Sequence, residues 1–203
     1  MHAIAWTDVV CPWCYLGRDR TLLLRELGMT VTTLGFELHP DTPAEGRAHR
    51  RGGRLEQVFT TIGAECAELG IPFRPPTRTP NSRRALETLE VVRQHWPDAY
   101  EPLEASLFRT HWVDGGDLAD PATLDRLVRQ AGADPAALHE LVADGVGRRG
   151  LEASMDLARE HGVTATPAWL IDDTLLIPGA QPREAMRRWV TRLQERSTAP
   201  KDR

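Results

Sequence analysis

Two cysteines separated by two residues, Cys11 and Cys14 in the stretch VVCPWCYLG, are the residues of this sequence best suited to chemistry. A thiol is a nucleophile only as its thiolate, and a helix N-terminus favours that anion through its unpaired N–H groups and its dipole. Cys11 stands where a helix should begin. Pro12 supplies a preset φ at the first helical position, where a missing N–H costs nothing. Cys11 is expected to be the more exposed of the pair, with Cys14 one turn further in and able to attack a mixed disulfide formed on Cys11. The spacing suits reversible two-electron exchange between dithiol and disulfide.

Two other uses of a cysteine pair fit less well. A zinc site needs about four ligands, but the third cysteine, Cys66, lies on an apolar helical stripe and no paired histidines at ligand spacing accompany the motif. No metal is expected, and Cys66 reads as a buried small hydrophobe. A disulfide closing so short a loop constrains the unfolded chain little, which disfavours a structural role. Three cysteines are also too few, and an odd number, for a disulfide-stapled secreted domain.

The elements that must position the pair can be read from periodicity. AIAWTDVV is a short apolar run with Ile4 and Trp6 on one face, a buried strand. Leu16, Leu23, Leu24 and Leu27 form a helical stripe that ends at Gly28. TVTTLGFELHP alternates Leu34, Phe36 and Leu38 and predicts a second strand, with His39 at its end. From 41 to 154 the spacing predicts only helices: Leu55 to Leu69, then near 81–96, 99–112, 121–131 and 134–143. Asp120-Pro121 and Asp134-Pro135 look like caps followed by proline at the first helical position. After a helix in GLEASMDLAREHG, PAWLI and TLLI around an Asp-Asp turn predict an antiparallel hairpin, and Pro182 opens a last helix carrying Met186, Trp189, Val190 and Leu193 inward. The polar tail STAPKDR is expected to fray.

With 203 residues, 41% of them hydrophobic, the chain can bury a substantial core as one domain or one domain with a large insertion. A net charge of −4 and a pI near 6.0 give no support to a nucleic-acid partner. No run approaches the ~18 apolar residues of a membrane span. The opening MHAIAWTDVV has no charged region before a long apolar one, so no secretory leader is expected and the expected location is the cytoplasm.

Together, DVVCPWCYLG, SLFRTHWVDGGDLADPATLDRLVRQAGAD and GVTATPAWLIDD…IPGAQ resemble the DsbA-like thiol oxidoreductases, in their FrnE-like branch, over nearly the whole chain. The resemblance implies an α/β thioredoxin fold made of 1–40 and 155–203 and interrupted by an all-helical insertion domain at 41–154. It implies a protein-disulfide oxidoreductase with protein or small-molecule thiols and disulfides as substrates. It implies no permanently bound cofactor beyond the redox-active Cys11–Cys14 disulfide, with glutathione as a candidate co-substrate. In that family the proline corresponding to Pro167, after Thr166, is cis and lies against the cysteine pair. Cys11, Cys14 and Pro167 are then the catalytic set, with Pro12, Trp13, Thr166 and Asp8 in support. Asp8 is either a proton relay or a local hydrogen-bond acceptor. The Pro12-Trp13 dipeptide lacks the histidine that helps stabilise the thiolate in DsbA. The insertion roofs the site in this family, so His111 and Trp112 are candidates to line a substrate groove, with His39 at its rim; a packed histidine and a solvated strand end are the plainer readings of the two histidines. Arg47, Arg50, Arg51 and Arg54 in GRAHRRGGR could attract an anionic substrate or simply be solvated.

Two other functions compete. The 2-hydroxychromene-2-carboxylate isomerases and kappa-class glutathione transferases share this architecture, but they generally carry serine where Cys11 stands. A non-catalytic redox-sensing chaperone or binding module is the third reading.

Overall fold

In a computed structural model of the chain, residues 1–50 and 52–198 are described. Arg51 lies outside that set, as does the tail beyond Thr198. The first unit is β1 (His2–Thr7), α1 (Pro12–Glu26) and β2 (Thr30–Gly35), with β2 parallel to β1. The chain returns to the same sheet through β5 (Ala168–Ile171) and β6 (Leu175–Pro178), giving the strand order β2-β1-β5-β6 with β5 antiparallel to both neighbours. Asp172 and Asp173, both at positive φ, close the β5–β6 hairpin as a primed turn, with the Thr174 N–H bonded to the Ile171 carbonyl.

Both faces of the sheet are covered, as the period of two along a strand requires. Ala3, Ala5, Trp169 and Ile177 pack on Leu23 and Leu24 of α1 and on Met186 and Val190 of α8 (Arg183–Thr198). Trp6, Leu34 and Leu170 face the other way, onto Ala158 of α7 (Val146–Glu160).

Between the two halves of the sheet lie α2 (Arg54–Glu68), α3 (Arg83–His95), α4 (Pro97–Arg109), α5 (Pro121–Ala131), α6 (Pro135–Ala143) and the start of α7. Asp120 caps α5 by accepting the Ala122 and Thr123 N–H groups, and Asp134 caps α6 through Ala136. The four-stranded sheet entered from both ends of the chain, with helices between its halves, is a thioredoxin sheet with a largely helical insertion.

Two features correct the sequence reading. The insertion is not wholly helical: β3 (Arg47–Ala48) and β4 (Arg78–Thr79) form a two-residue antiparallel ladder. The flanking segments are rich in proline and glycine and cannot hold a helix, so their backbone groups pair with each other instead. The helix expected over 99–112 ends as α at Arg109 and continues as a π-turn, Thr110–Asp114, closed by Gly115 at φ 75°. Helix α7, which contains the helix expected in GLEASMDLAREHG, crosses residues 154 and 155 unbroken and packs on both α3 and the sheet.

Candidate active site

The turn from β1 into α1 builds the site from its own backbone. The Asp8 carbonyl accepts the Cys11 N–H at 3.0 Å, and the Cys11 carbonyl accepts the N–H groups of Cys14 and Tyr15, each at 3.1 Å. Cys11 is thereby the N-cap of α1, at φ −83° and ψ 120°, with Pro12 next. Cys14 lies inside the first turn, where its sulfur receives the Asp8 N–H at 3.5 Å.

Neither sulfur is exposed. Cys11 is 2% and Cys14 1% accessible, which corrects the expectation of an exposed Cys11. The helix end would be open on the thioredoxin unit alone, but the insertion closes over it: Val9, Val10 and both cysteines share a core with Ile62, Leu103, Phe108 and Trp112. The two thiols still differ. The Cys14 thiol hydrogen-bonds to the Cys11 sulfur and holds the Cys11 pKa below its ordinary value, against the opposing effect of burial. Burial, with the neighbouring Cys11 sulfur, drives Cys14 well above its ordinary value.

From the other half of the fold, the Thr166 carbonyl oxygen lies 3.6 Å from the Cys11 sulfur. The Thr166–Pro167 peptide is cis, and the Pro167 carbonyl accepts the Gly179 N–H at 2.8 Å. The Pro167 ring sits against Gly17 of α1, where a Cβ would come within 3.0 Å of it.

Asp8 is fully buried beside Cys14. Its Oδ1 accepts the Val10 N–H at 3.2 Å, and its Oδ2 accepts the Leu38 N–H at 2.9 Å and the Ser82 hydroxyl at 3.1 Å. Burial outweighs these three bonds and raises the carboxyl to about 6. Ser82, which precedes α3, was not singled out in the sequence: it lies 74 positions from Asp8 and no local pattern joins them.

The remaining candidates divide. Pro12, Trp112 and the exposed His39 line one cavity of about 240 Å³, with Arg47, His49 and Arg50 on its wall. Trp112 donates its indole N–H to the Val9 carbonyl at 2.9 Å, and its ring stacks on Phe73 with centroids 5.7 Å apart. Trp13 is half-buried against the same core. His111 packs edge-on against Trp112 but lines a different cavity, with Arg74 and Arg78, away from Pro12. Burial lowers His111 to about 4, and its Nε2 is buried without a hydrogen-bond partner. Cys66 is fully buried, with its thiol pushed up to about 11 by desolvation. Among the described residues, no three His, Cys, Asp or Glu side chains gather as a metal-ligand group.

Comparison with known proteins agrees with this architecture. The family model described as the DSBA-like thioredoxin domain matches residues 3–190. None of the curated proteins searched matches the chain. Among solved structures, one described as a probable DsbA oxidoreductase from Streptomyces coelicolor superposes with a TM-score of 0.85 at 24% identity, over 100% of this chain and 94% of that one. A 2-hydroxychromene-2-carboxylate isomerase gives 0.78 at 18% identity, covering 97% and 98%. A cytosolic disulfide reductase from Pseudomonas aeruginosa, DsbM, solved with GSH, gives 0.68 at 17% identity, covering 96% and 100%.

Proposed function

The chain belongs to the DSBA-like thioredoxin domain family, and from that premise we propose that it is an enzyme exchanging disulfides with thiols through Cys11 and Cys14. The observation that carries this reading is the inequality of the two thiols: Cys11 caps the helix and is held below its ordinary pKa, while Cys14 is held above.

In the reducing direction, the Cys11 thiolate attacks one sulfur of a substrate disulfide. A bond forms between Cys11 and that sulfur, and the other leaves as a thiolate. Cys14, losing its proton, then attacks the Cys11 sulfur. The substrate departs as a second thiolate and the Cys11–Cys14 disulfide carries away no electrons: the two have passed to the substrate. We assign the uptake of this proton to the buried carboxyl of Asp8, held near 6, the residue whose backbone N–H meets the Cys14 sulfur. The Thr166 carbonyl, which precedes the cis Pro167, borders the Cys11 sulfur. The reverse sequence oxidises a substrate dithiol, and the reduction potential sets the direction. The cytoplasm is the proposed setting; among the described residues no helix is long and apolar enough to cross a membrane.

Insulin reduction by dithiothreitol tests the reading. Wild-type protein should accelerate it, and Cys11→Ser should return the rate to the uncatalysed background. An inactive wild type that turns over a chromene substrate with glutathione would instead assign the isomerase activity.

A further inference from the structure

We propose that the cavity between the proline-rich segment 72–80 and the π-turn binds a phosphate group, free or as the monoester of a small molecule, independently of the redox chemistry above. The cavity holds about 300 Å³. His111 lines it and is 2% accessible, and its Nε2 is buried without a hydrogen-bond partner. A buried polar atom of this kind costs stability unless something completes its bond. Burial keeps the ring neutral at physiological pH, so in the Nε2–H tautomer it offers the cavity one donor and no charge.

Two guanidinium groups supply the charge. Arg74 and Arg78 stand exposed on the proline-rich wall, and among the described residues neither pairs with a carboxylate. The two acids of the cavity are engaged elsewhere: Asp114 pairs with Arg109 at 3.3 Å, and Asp117 Oδ1 accepts the Ala119 N–H at 2.9 Å. The arginines are therefore the uncompensated charges of the site, and they call for an anion. Guanidinium forks suit the oxygens of phosphate and carboxylate alike. With an imidazole N–H as a further donor from a separate element, a tetrahedral group matches the set better than a planar carboxylate with two oxygens.

The walls are held in place without a ligand. The Arg74 N–H bonds to the Trp112 carbonyl at 2.7 Å, tying that arginine's backbone to the residue after His111. His49 braces the proline-rich segment, with one ring nitrogen 2.9 Å from the Pro76 carbonyl and the other 2.7 Å from the Thr79 hydroxyl. Pro75, Pro76 and Pro80 stiffen the same wall, so its backbone has little freedom left to lose on binding. His111 itself is set by the π-turn, a helix distortion that recurs at functional sites.

Imidazole proton–nitrogen spectra of the full-length protein, labelled with nitrogen-15 at histidine and held at neutral pH, test this. His111 is identified by its Overhauser contacts with the Trp112 indole. It should be neutral with its proton on Nε2. Its resonances should shift saturably with inorganic phosphate and with glycerol 3-phosphate, and not with acetate or chloride at matched ionic strength. Tighter binding of glycerol 3-phosphate would assign the site to an organic phosphate, and equal or weaker binding to the free ion. Arg74→Gln combined with Arg78→Gln, both at exposed positions, should weaken phosphate binding by on the order of tenfold and leave the ligand-free His111 signals in place. A proton on Nδ1, an equal response to acetate or chloride, or undiminished binding in the double variant would overturn the assignment. So would the absence of any saturable shift, the result for a cavity that water alone fills.

Discussion

At the scale of single residues, the Asp8 carboxyl is the group whose protonation the fold controls most visibly. Its pKa rises from 3.8 to about 6 because burial costs the charged form more than three hydrogen bonds return. A carboxyl raised on folding binds its proton more tightly in the native state. Its contribution to stability is therefore fully present below pH ~4 and is lost as the pH rises through about 6. A shift of this size corresponds to on the order of 3 kcal/mol. Urea unfolding of the wild type and Asp8→Asn between pH 4 and pH 7.5 should show the difference between the two proteins changing by roughly that amount, the wild type losing ground as pH rises. A pH-independent difference would show that Asp8 is ionised throughout. In activity, the same variant should slow the release of mixed disulfides and lose the inflection near pH 6. The acid itself was legible as a residue just before a helix. Its partners were not: the Leu38 N–H and the Ser82 hydroxyl arrive from 30 and 74 positions away, and no spacing rule links them to it. His111 and Trp112 are adjacent in sequence and were read together, yet the π-turn sends them to separate cavities.

At the scale of elements, helix α1 and strand β5 hold the site together through one close approach. Gly17 lies in the interior of α1, where alanine would ordinarily gain about 1 kcal/mol. Here a Cβ would meet the Pro167 ring at 3.0 and 3.1 Å and the Trp169 ring at 3.3 Å, all of them buried and backed by the sheet. Gly17→Ala should therefore destabilise the protein, by about 1–3 kcal/mol in chemical denaturation, and slow disulfide exchange as α1 shifts from Pro167. A stabilised variant with unchanged exchange would show that the contact yields freely. The helices and strands themselves were readable because their signals are local: the leucine stripe of α1, the aspartate–proline starts of α5 and α6, the paired aspartates of the hairpin. The β3–β4 ladder was not. Two residues on each side carry no periodicity, and Gly46, whose φ of 76° lets the chain approach the Thr79 carbonyl, looks like any loop glycine.

At the scale of the whole molecule, the insertion is part of the site rather than an appendage to it. It supplies Trp112 over the Val9 carbonyl, Ser82 to Asp8, and the arginines beside Pro12. This is also why the exposure of Cys11 was misread: a helix N-terminus judged from its own sequence is open, and only the chain packed over it makes it closed. The division into 1–40 with 155–203 on one side and 41–154 on the other stands as a proposal about which segments build the sheet, with α7 crossing its boundary intact. The account's central claim concerns the two thiols that all these elements surround. Cys14→Ser, incubated with a substrate disulfide and analysed by mass spectrometry, should accumulate a mixed disulfide on Cys11, because the attack proceeds and the resolving thiol is gone. Cys11→Ser should trap almost nothing and Cys66→Ala should behave as wild type. Adducts found mainly on Cys14 or Cys66, or none on Cys11 in the Cys14→Ser protein, would contradict the account.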